Sequence, residues 1–189
     1  MEWGELTMSD VFFGIQLAVV SPPRDPWRQR LTAIVQRHLR DLRAADKRVL
    51  YGAAANLLRE ALPRVSLAYW DFVPDGKSEF TEWTEGIEDD TKTTWVADAG
   101  APNDLALVTL LFLLPAGSAS AELCGERCDL PEADWQTGAT YEHLLETVTM
   151  LPWPTIRSDG IYVTPGGLDL AFSFRELLTP DYGYLLPLG

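Results

Sequence analysis

The sequence predicts an α+β fold, a ferredoxin-like sandwich of about four strands with a helical pair and a further helix in one domain. Three observations carry that expectation. Leu105 to Leu114 reads LALVTLLFLL, an apolar run broken only by Thr109 and bounded by Pro102-Asn103-Asp104 and Pro115-Ala116-Gly117. A helix needs roughly 20 apolar residues to cross a bilayer, so this run is a strand covered on both faces, the centre of a sheet. The periodicity along the chain then alternates as strand, paired helices, strand, strand, helix, strand. A chain of 189 residues, 47% hydrophobic and 23% charged, is long enough for one sizeable core and fits one domain.

After a polar leader over residues 1–10, the domain spans 11–189. Val11 to Val20 (VFFGIQLAVV) alternates as a strand, with Phe13, Ile15, Leu17 and Val19 on one face and Gly14, Gln16 and Ala18 on the other. Ser21-Pro22-Pro23 ends it, because consecutive prolines cannot donate to a ladder. A helix is expected from Asp25, a cap followed by Pro26, to about Arg43. Its apolar stripe takes Trp27, Leu31, Ile34, Val35, His38, Leu39 and Leu42, with Arg28, Arg30, Arg37, Arg40 and Arg43 largely opposite. A second helix runs from about Ala45 to Leu62, with Val49, Leu50, Ala53, Ala54, Leu57, Leu58, Ala61 and Leu62 inward, and Pro63 stops it.

Leu67 to Val73 (LAYWDFV) is an aromatic-rich strand closed by the turn Pro74-Asp75-Gly76. Residues 77–104 then form a long acidic connection, in which Ser78 to Trp83 begins a short helix and Glu88-Asp89-Asp90 lies exposed. Beyond the apolar strand, Gly117 to Gly138 reads as a polar loop. A third helix covers about Thr140 to Met150, Gly160 to Thr164 is a strand, and Phe174 to Leu178 a helical turn before PDYGYLLPLG. One face of so apolar a strand needs the acidic connection or the tail as a second cover.

The formal charge of −13 is split. Ten Lys or Arg stand against four acids between Arg24 and Arg64, and the remainder carries −19. The whole molecule therefore repels nucleic acid and anionic membranes, while its basic helices and acidic connection offer opposite faces to a protein partner or a second copy. The start MEWGELTMSD lacks a basic region followed by an apolar core, so a cytoplasmic protein is expected.

Catalytic signatures are sparse. Cys124-Gly125-Glu126-Arg127-Cys128 places an arginine between two thiols, which can lower a thiol pKa, but two cysteines do not make a disulfide framework. Metal ligation would have to gather His38 and His143 from distant segments without the usual spacing. Glu142 and Glu146 flank His143 as possible orienting carboxylates, yet no nucleophile motif accompanies them. Pro165-Gly166-Gly167 lacks the lysine of a phosphate loop and reads as a turn. No cofactor or metal is expected.

Several segments together resemble domain-of-unknown-function family 1517. They are GIQLAVV before a helical region, LAYWDFV followed by KSEFTEWTE, DLALVTLLFLLPAG, and YEHLLETV leading to GIYVTP and FRELLTPDYGYLLPL. The resemblance implies an accessory or regulatory character and supplies no catalytic residues. Members carry a glycine-rich, membrane-anchored portion ahead of this domain, a feature not seen in this sequence.

The function expected is a non-enzymatic interaction or regulatory module. Its contact residues are expected to be Trp83, Glu85 and Trp95 in the acidic connection and Arg30, Arg37 and Arg40 on the basic helix, since large rings dominate interface energies. The alternative is an enzyme of unfamiliar type using His143 with Glu142, or the Cys124 and Cys128 pair.

Overall fold

The structure, a computed structural model, describes residues 9–36, 42–92 and 102–189. Its elements in chain order are β1 (Asp10–Val20), α1 (Pro26–Val35), α2 (Ala44–Ala61), β2 (Val65–Val73), α3 (Lys77–Lys92) and β3 (Asn103–Pro115). There follow α4 (Ala119–Cys128), α5 (Gly138–Met150), β4 (Ser158–Thr164), β5 (Phe172–Ser173) and β6 (Leu186–Pro187). The strands form one antiparallel sheet in the order β4-β3-β1-β2-β6, with β5 added to β3. The class is therefore α+β in a single domain, with six strands among the described residues.

The order follows from how many helices lie between strands. A strand, one helix and a second strand return the chain parallel, whereas two helices return it antiparallel. Two helices join β1 to β2, and two join β3 to β4, and both pairs are antiparallel neighbours. Among the described residues α3 alone carries the chain from β2 across β1 to β3. A ferredoxin-like sandwich instead uses single helices to join parallel strands with another strand between them.

β1 and β3 occupy the middle because both are apolar on both faces. Phe13, Ile15, Leu17 and Val19 of β1 lie with Val108, Leu110, Phe112 and Leu114 of β3 in the main core beneath α1, α2, α4 and α5. Phe13 and Phe112 face each other across the ladder with ring centroids 5.9 Å apart, and Tyr51 of α2 meets Phe112 at 5.5 Å. On the opposite face the cover comes in two pieces. Ala18, Leu67, Leu105 and Leu107 lie under Phe172, Leu177, Tyr182 and Leu185 of the C-terminal tail. Phe12 and Leu111 lie under Ile87, Phe80 and Trp83 of α3. Both segments named from the sequence as possible second covers thus serve.

Several expectations are corrected. Residues 77–92 are helix rather than connection, and α4 lies within the stretch read as a loop, opened by the Ser118 hydroxyl accepting the Ala121 N–H at 3.2 Å. Val49 is exposed and Tyr51 takes its place inside, a shift of the stripe around α2. Arg28, read as outward, is buried, and its Nη2 donates to the Pro165 carbonyl at 2.9 Å. Trp70 and Trp153 pack on the helix-covered face, whereas Trp83 packs on the second face. His38 lies outside the described residues.

Asp25 anchors α1. Its Oδ1 accepts the Trp27 N–H at 3.0 Å, and its Oδ2 accepts from Arg64 at 2.8 Å and Ser21 at 3.2 Å. Burial alone would raise its pKa, but the Trp27 amide, Arg64 and Ser21 outweigh it and hold the carboxyl below the usual range. Its contribution is therefore complete above the unfolded-chain pKa of about 3.9 and is lost as pH falls through the lower folded value. Asp25→Ala is expected to cost about 1–2 kcal/mol at pH 7. In urea titrations the gap from the parent should narrow at pH 3.

Gly76 sets the start of α3. Its N–H donates to the Asp10 carbonyl at 2.6 Å, and a Cβ there would overlap the backbone nitrogen and Cβ of Phe12. Gly76→Ala is expected to cost about 1–3 kcal/mol by overpacking and to alter Trp fluorescence as α3 lifts from β1.

Candidate functional site

Where the two covers of the second face meet, the sheet beneath changes character. The register aligns Tyr69 of β2, Gln16 of β1, Thr109 of β3 and Tyr162 of β4 in one row across four strands. This row separates the apolar patch under α3 from the one under the tail. Over it opens a cleft of about 430 Å³. Gln16 and Tyr69 line it from the sheet, Glu79, Glu82, Trp83, Gly86 and Ile87 from α3, and Asp181, Tyr182 and Tyr184 from the tail.

The helical side follows from spacing. Residues 79, 82, 83, 86 and 87 fall at i, i+3, i+4, i+7 and i+8, one face of a helix. Trp83 is fixed from two directions. Its indole N–H donates to Glu79 Oε1 at 2.8 Å, and its ring lies 5.1 Å from Phe12 and 5.7 Å from Tyr69. Gly14 leaves room for it, since an added Cβ would stand 3.2 Å from the Trp83 ring. Tyr184 completes the group at 5.4 Å from Tyr69 and 6.5 Å from Trp83.

The cleft is acidic. Among the described residues that line it, Glu79, Glu82 and Asp181 are the charged ones, and none of the three makes an ion pair with another described residue. Below them the Tyr69 hydroxyl donates to Asp71 Oδ2 at 3.3 Å. Burial, reinforced by the Asp71 charge, pushes the Tyr69 hydroxyl up to about 12, and burial also raises the Asp71 carboxyl. Gln16 is 3% exposed; its Nε2 donates to Thr109 Oγ1 at 2.9 Å and its Oε1 has no hydrogen-bond partner among the described residues.

Of the residues expected from the sequence, Trp83 lines this cleft. Glu85 lies on the exposed side of α3, away from the lining positions. Arg30 is exposed on α1, 3.5 Å from Glu60 of α2, on the other side of the sheet. Trp95, Arg37 and Arg40 lie outside the described residues. Gln16 and the tail tyrosines were missed. The signal for Gln16 was present: it and Thr109 are the polar interruptions of two otherwise apolar strands, and they bond to each other.

The other candidate groups have structural partners. His143 Nε2 faces the Arg127 carbonyl at 3.1 Å beside an open hollow edged by Leu130, Asp134 and Thr140. Glu142 reaches away to Arg59 at 3.0 Å, and Glu146 binds Arg127, whose hydrogen bond and charge hold its pKa low. Among the described residues no three His, Cys, Asp or Glu side chains gather as a metal site requires, and no helix is long and apolar enough to cross a membrane.

No known family, curated protein or solved structure matches the chain.

Both thiols are free. Burial raises the Cys124 pKa, and it pushes Cys128 up to about 12 against the opposing pull of Arg127. Arg127 therefore does not activate either one. At pH 8 alkylation of Cys128 by iodoacetamide is expected to run about a thousand-fold slower than that of an unfolded-chain cysteine, and Cys124 slower still. Mass spectrometry before and after denaturation in guanidinium measures both rates.

Proposed function

We propose that the protein is a non-catalytic interaction module that uses the cleft between α3 and the C-terminal tail to hold a basic segment of a protein partner. The observation that carries this reading is the lining itself: aromatic rings fixed around an opening whose charged residues, among those described, are all acidic. Large rings supply contact area at small entropic cost, and unneutralised carboxylates steer cations and repel other acids. The roles found for Cys124, Glu142 and His143 support a binding rather than a catalytic reading. The resemblance to domain-of-unknown-function family 1517 adds an accessory or regulatory character, and a cytoplasmic location belongs to the same proposal.

An array of immobilised peptides tests it. Basic peptides are expected to retain the protein in a salt-sensitive way, and Glu82→Lys, which reverses a charge on exposed α3, is expected to weaken retention about tenfold. Trp83→Ala should do the same, with circular dichroism showing whether the fold survives. Retention that is unchanged in Glu82→Lys, or equal for acidic peptides, overturns the reading.

A further inference from the structure

We infer that the group held in this cleft is a guanidinium, the side chain of an arginine carried by the partner. The inference rests on the proposed function and names the chemistry of the same site. Three features of the lining converge on it.

The first is the Gln16 amide. It is almost wholly buried at the floor, one end is satisfied by Thr109, and its Oε1 has no partner among the described residues. A buried carbonyl oxygen of this kind needs an N–H or O–H donor, and its isolation carries a standing cost that a donor from outside removes. The second is charge: Glu79, Glu82 and Asp181 face the same space with no ion-pair partner among the described residues, so that the donor is best supplied by a cation. Glu79 spends one oxygen on the Trp83 indole and Glu82 one on the Ser78 hydroxyl, and the second oxygen of each bonds no other described residue. The third is the ring group of Tyr69, Trp83 and Tyr184, whose faces attract a cation laid over them.

These features discriminate among cations. A quaternary ammonium suits aromatic walls but has no N–H to offer Gln16. A lysine ammonium has donors but is compact and strongly hydrated, and it loses more water on entering a cleft with an apolar wall. A guanidinium is planar and weakly hydrated, stacks on rings and carries five donors in a fixed fork. It alone answers the carbonyl, the carboxylates and the rings together. A volume of about 430 Å³ takes a side chain rather than a folded segment.

The test is a titration of the full chain with N-acetyl-arginine methylamide, followed by the Trp indole and Gln side-chain signals in proton–nitrogen correlation spectra. Saturable shifts at Trp83 and Gln16 are expected. The citrulline analogue, neutral and of the same shape, and tetramethylammonium should each bind at least about tenfold more weakly. Gln16→Met, which keeps the length and removes the acceptor, should weaken arginine binding about tenfold. Glu82→Gln, at the exposed rim, should weaken it in case Gln16→Met fails to fold.

Equal binding of citrulline, binding of tetramethylammonium as tight as arginine, or indifference to both substitutions overturns the inference. Equal binding of the lysine analogue at Trp83 overturns the guanidinium while leaving the basic-partner reading intact; no shift with any cation removes both. Free L-arginine binding tighter than the blocked residue overturns a protein-borne source in favour of a small molecule.

Discussion

Eleven residue pairs in unbroken register, from Asp10 against Pro115 to Val20 against Leu105, join β1 to β3. Because the side chains of both strands are apolar in either direction, neither face of this pair can be left to water. That one requirement demands a layer on each side. Four helices meet it on the first side, with Phe112 packed among Phe13, Tyr51 and Trp153. On the second side one acidic helix and an irregular tail meet it only in part, and the cleft is what their coverage leaves open.

Few polar ties hold the layers in place, and they join segments far apart in the chain. Asp159 on β4 accepts from Lys47 at 2.5 Å and Tyr51 at 2.9 Å, fastening α2 to the edge of the sheet. Asp10, with its carboxylate almost wholly covered, takes Arg157 at 2.6 Å, so the first strand is clamped to the approach to the fourth. In both cases the covered carboxylate meets a cation and does not stand alone in the interior, which is the condition under which burying such a group is tolerable.

The four longer strands were legible because apolar alternation is a strong signal, with the run at Leu105 and the alternation at Phe13, Ile15 and Leu17 marking the middle of the sheet, whereas the two-residue β5 and β6 are too short to leave one. The topology was not, and the reason lies in α3 and α4. Lys77 to Lys92 is rich in acids, so only its start at Ser78 to Trp83 read as helix and its inward set of Phe80, Trp83 and Ile87 was not seen as one face. Ala119 to Cys128 buries mainly small residues such as Ser120, Ala121 and Cys124, which make no apolar stripe. Losing two helices changes the count between strands from odd to even or the reverse, and with it which strands lie side by side. The cleft suffered for the same reason. Trp83 stood out as a large ring in acidic surroundings, but Asp181, Tyr182 and Tyr184 reach it from about a hundred residues further on, a distance no local pattern spans.

The two-piece roof over the second face has a consequence for how such a molecule can diversify. The segments that meet above Gln16 are separated in sequence by about half of the domain, and each adheres to its own apolar patch. Substitutions at the lips of the seam can thus reshape what enters without disturbing the four-helix layer that secures the fold. The cleft and the layer that secures the fold lie on opposite sides of one sheet, so that one can change without the other.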